Sequence, residues 1–170
     1  NILTLKAINF TDEIIEDGLT FEENALIKAR TISKYSGKTA IADDSGLSVE
    51  LLEGRPGVYS ARYSKEQTDA KNIEKVLSEL DGKKSKAKFV SVIALVKPDG
   101  TEFTFRGECH GEIISEQRGN NGFGYDPIFY VPSLEKTFAE LSSDEKNSIS
   151  HRKESLEKFS KFLKEENNEN

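Results

Sequence analysis

The segment Ile41-Ala42-Asp43-Asp44-Ser45-Gly46-Leu47 decides the fold, because two adjacent carboxylates directly follow a short apolar run. Residues 39–42 predict a buried strand, and Gly46 predicts a sharp turn out of it. Successive strand residues point to opposite faces, so Asp43 and Asp44 share a direction only where the chain bends. One of them should face a cleft, where a carboxylate suits a hard cation such as Mg²⁺. A solvated acidic turn, in which either aspartate caps the next segment, is the alternative.

The composition is that of one acidic domain. The 170 residues include 30 acidic and 24 basic side chains, which gives a net charge of −6 at pH 7. This balance disfavours nucleic acid as the main partner, so a phosphate-bearing ligand needs a local basic site or a metal. The single cysteine, Cys109, excludes an internal disulfide and fits a reducing compartment. No apolar run approaches the ~20 residues of a membrane span, and we expect a soluble cytoplasmic protein.

Hydrophobic periodicity and cap residues predict a succession of strands and helices. Besides residues 39–42, four segments are predicted strands, the last two as a hairpin: residues 1–6, 47–51, 89–96 and 102–114. Thr20 and Glu23 have the spacing of a capping box, which predicts a helix over residues 20–35. Two further amphipathic helices are predicted over residues 68–80 and from Ser150 onward.

A lysine interrupts the apolar stripe of the first predicted helix. On a helical wheel, Lys28 lies among Phe21, Ala25, Ala29 and Ile32. One interpretation is that its stem packs on the apolar face while the ammonium reaches water. The other is that the ammonium points into a cleft. The sequence leaves both open.

Two further stretches combine residue types that suit a flat polar ligand. Residues 118–126 interleave three glycines with Phe123 and Tyr125 and end at Asp126. Glycines let the backbone approach a ligand closely, and an aromatic side chain stacks on a flat ring. His151-Arg152 lies in the first turn of the last predicted helix, where the helix dipole disfavours cations. The pair is either loosely held on the surface or directed, with the helix dipole, at an electronegative ligand group.

In combination these motifs resemble the inosine/xanthosine triphosphate pyrophosphatases, which remove deaminated purine nucleotides. The resemblance covers nearly the whole chain and rests on five stretches: Leu19-Thr20-Phe21-Glu22-Glu23-Asn24-Ala25 with Lys28-Ala29, residues 41–47, Pro56-Gly57-Val58-Tyr59-Ser60-Ala61-Arg62-Tyr63, Gly122-Phe123-Gly124-Tyr125-Asp126-Pro127, and Ser150-His151-Arg152. It implies an α/β fold with an elongated mixed sheet, two lobes around a nucleotide cleft, and usually a homodimer. The implied reaction is the Mg²⁺-dependent hydrolysis of ITP, dITP or XTP to the monophosphate and pyrophosphate.

The resemblance also implies a role for each matching residue. Asp44 would be the general base and a metal ligand, with Asp43 and Glu16 near the metal. Lys28 and Ser45 would contact the phosphates. Lys28 would be catalytic together with Asp44. The residues that would hold the nucleotide, chiefly its base, are Phe123, Gly124, Tyr125, Asp126, Lys146, His151 and Arg152.

The residue types also suit this chemistry without the resemblance. Hydrolysis at an α-phosphorus needs a metal, a water activated by a carboxylate, and cations on the phosphate oxygens. Glu16, Lys28 and the two adjacent aspartates supply such a set. As hydrogen-bond donors, His151 and Arg152 would favour a 6-oxo purine over adenine, which presents an N–H donor at position six.

One motif of the family has no counterpart in the sequence. The family opens with a strand and a loop of the type Thr/Ser-x-Asn-x-x-Lys that wraps the triphosphate. The chain has no methionine and begins inside an apolar run, so we expect one domain over residues 1–170 that lacks this strand and loop. Two other functions stay open: a related pyrophosphatase for other modified nucleotides, and a non-catalytic nucleotide-binding module.

Overall fold

A sheet of five strands is the framework of the fold, which a computed structural model describes for residues 1–169. The strands lie side by side in chain order: β1 (Ala40–Val49), β2 (Ser85–Val96), β3 (Glu102–Ile113), β4 (Phe129–Val131) and β5 (Lys136–Thr137). The helices are α1 (Phe21–Ser36), α2 (Asp69–Leu80), α3 (Ser143–Ile149) and α4 (His151–Asn168). The predicted α/β architecture is confirmed. A mixed sheet was expected, and each ladder among the described residues is antiparallel.

Helix α1 begins and ends within one residue of the bounds predicted from the sequence, 20–35. The Thr20 hydroxyl accepts a hydrogen bond from the Glu23 N–H at 3.1 Å, and Gly37 ends the helix with φ of 66°. The helix from residue 68 and the long hairpin are confirmed as well, as α2 and as the β2–β3 pair. Among residues 1–169, no helix combines the length and the apolar character needed to cross a membrane.

Residues 40–49 form one continuous strand, so the turn predicted at Asp43–Gly46 is wrong. Both aspartates pair with β2 in an unbroken antiparallel ladder. Gly46 instead allows close packing, because a Cβ there would lie 2.5 Å from Ser60 Oγ and 2.6 Å from the Gly57 carbonyl oxygen. Since side chains alternate along a strand, Asp43 and Asp44 point to opposite faces of the sheet.

The strand predicted over residues 1–6 is also wrong. Residues 1–5 form no strand, Lys6–Ile8 is a 3₁₀ turn, and the side chains of Ile2 and Leu3 are exposed. An apolar run becomes a strand only where a neighbouring strand pairs with it, and none of residues 1–169 does so here. Of the strand predicted over residues 47–51, residues 47–49 are the end of β1. The rest forms no strand, because Glu50–Leu52 is a 3₁₀ turn.

The two faces of the sheet carry different helices. Helix α1 packs on Val90 and Val92 of β2. Helix α4 packs on the other face, where the Ser155 hydroxyl donates to Ser91 Oγ at 3.1 Å. Gly107 allows this approach, because a Cβ there would lie 2.1 Å from the His151 carbonyl oxygen. The first turn of α4 is thereby fixed on the face of the sheet opposite α1, close to Asp43 of β1.

Candidate active site

Three charged side chains meet on the face of β1 that α1 covers. Lys28 Nζ lies 2.9 Å from Glu16 Oε1 and 3.9 Å from Asp44 Oδ1. The same ammonium donates to the backbone carbonyl of Asp43. Because it contacts two carboxylates and a carbonyl, the lysine of the apolar stripe points into a cleft. We call Glu16, Lys28 and Asp44 the acidic cluster.

Asp44 has an unusual environment for a carboxylate. Burial raises its pKa to about 6; the charge of Lys28 opposes the rise and that of Glu16 adds to it. Its Oδ2 atom is buried and finds no hydrogen-bond partner among residues 1–169. A carboxylate with a pKa near neutrality and an unpaired oxygen is suited to accept a proton or to bind a cation.

The carboxylate of Asp43 lies apart from the acidic cluster. Its Oδ2 atom is 3.3 Å from Arg152 Nη1, on the face of the sheet that carries α4. Arg152 Nη2 also donates to Ser45 Oγ at 3.1 Å. Strand alternation thus directs the two adjacent carboxylates to opposite faces, and only Asp44 lies with Glu16 at Lys28; that Asp43 lies near a metal stays a prediction.

The acidic cluster fits a magnesium ion of the kind that binds with its substrate. Within residues 1–169 no group of three or more His, Cys, Asp or Glu side chains could hold a metal alone. Mg²⁺ usually keeps several waters and takes one or two carboxylates together with substrate phosphates. Glu16 and the unpaired oxygen of Asp44 provide two such carboxylates.

A cavity of ≈480 Å³ lies beside the acidic cluster, between β1, the loop at residues 121–126 and the start of α4. Phe123 lines it with a ring that is 65% exposed. Lys146 Nζ lies 4.8 Å from the centre of that ring and 2.5 Å from Asp126 Oδ2. Ser45 and Ala61 line both this cavity and the cleft of the acidic cluster. The two spaces adjoin, as the base and the phosphates of one nucleotide require.

His151 lines the same cavity and is buried. Its ring stacks on Phe89 at 5.0 Å, and its Nδ1 atom has no hydrogen-bond partner among the described residues. Burial, together with the charges of Arg152 and Lys146, lowers the pKa of His151 to about 3. The imidazole is therefore neutral at pH 7, which explains how a histidine lies in the first turn of α4 without opposing the helix dipole.

Tyr125 and Asp126 stabilise the Phe123 loop through hydrogen bonds of their buried side chains. The buried hydroxyl of Tyr125 donates to the Ser60 carbonyl at 2.6 Å. The buried carboxylate of Asp126 accepts from the Phe123 N–H at 3.2 Å and from Lys146. Both residues line the cavity, and the Tyr125 hydroxyl and Asp126 Oδ2 are hydrogen-bonded within the protein.

Two residues that sequence reasoning did not single out shape the site. The Asn24 side chain accepts from the Gly18 N–H at 2.8 Å, which fixes the loop that carries Glu16. Asp69 Oδ2 accepts from the Gly124 N–H at 2.9 Å, across 55 positions of sequence. Asn24 has no local pattern that reveals this contact. For Asp69, the only signal is its place directly after the Thr68 cap.

Comparison with known proteins gives a consistent result. The family model described as the Ham1 family matches residues 1–162. The dITP/XTP pyrophosphatase of Bacillus subtilis is 53% identical over 167 residues, which is 96% of this chain and 84% of that protein. The solved structure of the Staphylococcus aureus Ham1 protein has a TM-score of 0.90 at 47% identity and covers 95% of this chain and 85% of that one. A nucleoside-triphosphatase, or dITP/XTP pyrophosphatase, from Mycobacterium abscessus has a TM-score of 0.82 at 41% identity, over 92% of this chain and 85% of that one.

Proposed function

We propose that this chain, which belongs to the Ham1 family, hydrolyses deaminated purine nucleoside triphosphates such as dITP, XTP and ITP to the monophosphate and pyrophosphate. The observation that carries the proposal is the acidic cluster, which adjoins the cavity of Phe123 and His151 through Ser45. Relatives named dITP/XTP pyrophosphatase, about half identical to this chain, support the same substrate class.

In the proposed reaction Asp44 is the general base. It takes a proton from the water that attacks the α-phosphorus, the bond from that phosphorus to the bridging oxygen breaks, and pyrophosphate leaves. The raised pKa of Asp44 supports this role, because a base with a pKa near the working pH holds the abstracted proton well. Lys28 neutralises charge on the phosphate oxygens, and Ser45 orients them with its hydroxyl.

We further propose that Glu16 and Asp44 hold a Mg²⁺ ion together with the substrate. When bound, the ion would offset the negative charge of the phosphates next to two carboxylates. Asp43 is not a ligand of this ion in the proposal, because its carboxylate pairs with Arg152 on the face of the sheet that carries α4.

The base would lie in the ≈480 Å³ cavity, where Phe123 provides a face for stacking. A neutral His151 has one ring nitrogen that donates and one that accepts. Arg152 and Lys146 are further donors that line the cavity. Donors suit the 6-oxo group of hypoxanthine and xanthine, whereas adenine would leave them unpaired. The family resemblance also supports a cytoplasmic homodimer, which light scattering would report as twice the chain mass of 19.0 kDa.

The test is pyrophosphate release from ITP, XTP, ATP and GTP in the presence of Mg²⁺. We expect release from ITP and XTP at least ~10-fold faster than from ATP, as one well-placed hydrogen bond would give. Asp44→Asn should lower kcat by ~10² or more while circular dichroism stays unchanged. Asp99→Asn, in the exposed turn between β2 and β3, is the matched control and should behave as wild type. Equal rates for ITP and ATP, or normal turnover in Asp44→Asn, would contradict the proposal.

A further inference from the structure

The loop that carries Phe123 is bound from two sides of the cavity. On one side the Asn121 N–H donates to the Ala139 carbonyl at 3.0 Å, and the Phe123 N–H donates to Asp126. From the other side, Asp69 at the start of α2 accepts a hydrogen bond from the Gly124 N–H at 2.9 Å. The Asp69 contact therefore joins the Phe123 loop to α2, which comes from a distant part of the chain.

Packing alone does not fix the ring of Phe123. The ring is 65% exposed, and Gly122 and Gly124 on either side both have positive φ, at 75° and 60°. Glycines at such angles lose more conformational freedom on ordering than any other residue. The direction of the ring therefore depends on the hydrogen bonds of its neighbouring backbone groups, together with the Lys146 ammonium 4.8 Å from the ring centre.

We propose that Asp69 is a positioning residue for base binding: its carboxylate holds the Gly124 N–H and thereby sets the ring of Phe123 as the wall on which the purine stacks. The proposal rests on the function proposed above. Asp69 itself also lines the cavity. Its effect on the base acts through Phe123, and it takes no part in the cleavage of the phosphate.

A purely structural role for Asp69 makes a different prediction. Asp69 is the first residue of α2 and the acidic residue of its first turn, where a carboxylate stabilises a helix through the dipole. That role needs the negative charge and is independent of Phe123. The positioning role needs a hydrogen-bond acceptor, which asparagine retains.

The experiment measures ITP hydrolysis by Asp69→Ala, Asp69→Asn and the control Thr68→Ala. Thr68 caps the same helix by accepting from the Lys71 N–H, and within residues 1–169 it forms no hydrogen bond with the Phe123 loop. We expect Asp69→Ala to raise KM for ITP by ~10-fold with kcat within ~2-fold. Asp69→Asn should stay within ~3-fold of the wild-type KM, and Thr68→Ala should lower the melting temperature without changing KM.

A double-mutant cycle tests the link to Phe123. If Asp69 acts through that ring, Asp69→Ala should change KM by less than ~2-fold in a Phe123→Ala background. Independent multiplication of the two effects would overturn the proposal. So would an Asp69→Asn variant as impaired in KM as Asp69→Ala, or an Asp69→Ala variant with wild-type KM.

A readout that needs no turnover separates this proposal from the proposed function. In nuclear magnetic resonance spectra, the Gly124 amide proton should lose protection from solvent exchange in Asp69→Ala and keep it in Asp69→Asn. If no nucleotide is hydrolysed, the function fails while this amide still reports whether Asp69 holds the loop. An unchanged Gly124 amide in Asp69→Ala would overturn the positioning role by itself.

Discussion

Burial shifts the pKa values of two side chains at the candidate site in opposite directions, and both shifts favour the neutral form. Asp44 has a pKa raised to about 6, and His151 has one lowered to about 3. At pH 7 His151 is therefore neutral and does not oppose the helix dipole, whereas Asp44 stays mostly ionised, as a general base must be. The charged side chains at the site are therefore those of the acidic cluster and two ion pairs, Asp43 with Arg152 and Asp126 with Lys146.

His151 should make the protein sensitive to acid. Its folded pKa of about 3 lies below the unfolded value near 6.5, so the unfolded state binds the extra proton. Stability from the neutral imidazole is present above pH 6.5 and is lost as the pH falls toward 3. In His151→Gln, the loss of unfolding free energy between pH 7.5 and 4.5, measured with urea, should be smaller than in wild type by about 2–3 kcal/mol.

The exposed histidine, His110, gives the control for this comparison. His110→Gln also replaces an imidazole by an amide, but at a side chain that is 73% exposed and lies 3.0 Å from Glu108, so it shows what the loss of a surface histidine does by itself. Both proteins share the acid titration of their carboxylates, which cancels in the difference. Identical pH dependence in His151→Gln and wild type would mean that the imidazole is charged in the folded protein.

Lys28 should serve both the phosphates and the acidic cluster. Lys28→Met removes the cation between Glu16 and Asp44, so we expect kcat to fall by ~10² and the free energy of unfolding by about 1–2 kcal/mol at pH 7.5. Lys34→Met, on the exposed side of the same helix, is the control for both measurements. A Lys28→Met enzyme with normal kcat per folded molecule would show that the ammonium only supports the structure.

Local patterns predict the individual side chains of the site better than their contacts. Lys28 was notable because it breaks an apolar stripe, and the loop of Phe123 because glycines and aromatics alternate. The contact between Asp69 and Gly124 was not predicted, because it joins positions 55 apart and depends on the tertiary fold. No spacing rule connects two residues that only the folded chain brings together.

At the level of elements, the course of β1 shows how pairing overrides turn propensity. Asp, Ser and Gly favour turns, and residues 43–46 contain little else. The ladder with β2 nevertheless runs without a break from Ala40 to Val49. Strand propensity depends on neighbouring strands, so the sequence of the segment alone predicted a turn.

Helix α1 and residues 1–6 show that helix ends can be predicted from local sequence, whereas strands depend on a partner strand. The start and end of α1 are coded locally, by the Thr20 cap and by Gly37, and were predicted. Residues 1–6 have an apolar pattern, but a strand forms only beside a partner strand. The cap chemistry of a helix is local, whereas the partner of a strand is not.

The close packing of α4 against the sheet depends on a glycine in β3, Gly107. A Cβ at Gly107 would lie 2.1 Å from the His151 carbonyl oxygen and 2.5 Å from the Ser155 N atom, and backbone atoms cannot move aside like a flexible side chain. Gly107→Ala should therefore displace the first turn of α4 and cost about 2–3 kcal/mol of unfolding free energy. We also expect weaker binding of IMP, measured by calorimetry, because His151 and Arg152 move with the helix.

Thr104→Ala is the control for this substitution, because Thr104 lies on the same strand and is exposed. It should change the unfolding free energy by less than ~0.5 kcal/mol. A Gly107→Ala protein with unchanged stability and IMP affinity would mean that α4 tolerates a shift without disturbing the site.

For the molecule as a whole, the net charge of −6 opposes the approach of an anionic substrate. The acidic cluster adds a local penalty, because its partly buried Asp44 is costly to ionise. A divalent cation offsets both, and any ion that binds only the folded state stabilises it. Mg²⁺ should therefore act on the stability of the whole fold, in addition to any role in the reaction.

Thermal unfolding with and without Mg²⁺ measures this coupling. At a concentration about tenfold above its dissociation constant, Mg²⁺ contributes about 1.4 kcal/mol, which raises the melting temperature of a domain of this size by about 3–5 °C. Asp44→Asn should melt higher than wild type without Mg²⁺ at pH 7.5, because the raised pKa makes the ionised carboxylate unfavourable above pH 6. The same variant should respond little to the ion.

The variant Asp43→Asn tests which of the two adjacent aspartates binds Mg²⁺. Its carboxylate lies on the opposite face of the sheet, against Arg152, so this variant should keep the full Mg²⁺-dependent rise in melting temperature. NaCl at equal ionic strength controls for screening, which weakens interactions between exposed charges without occupying a site. If Asp43→Asn lost the Mg²⁺ response and Asp44→Asn kept it, the ion would bind on the α4 face and the assignment of Glu16 and Asp44 as its ligands would be wrong. Equal loss in both variants would mean that the strand changes its side-chain directions when the ion binds.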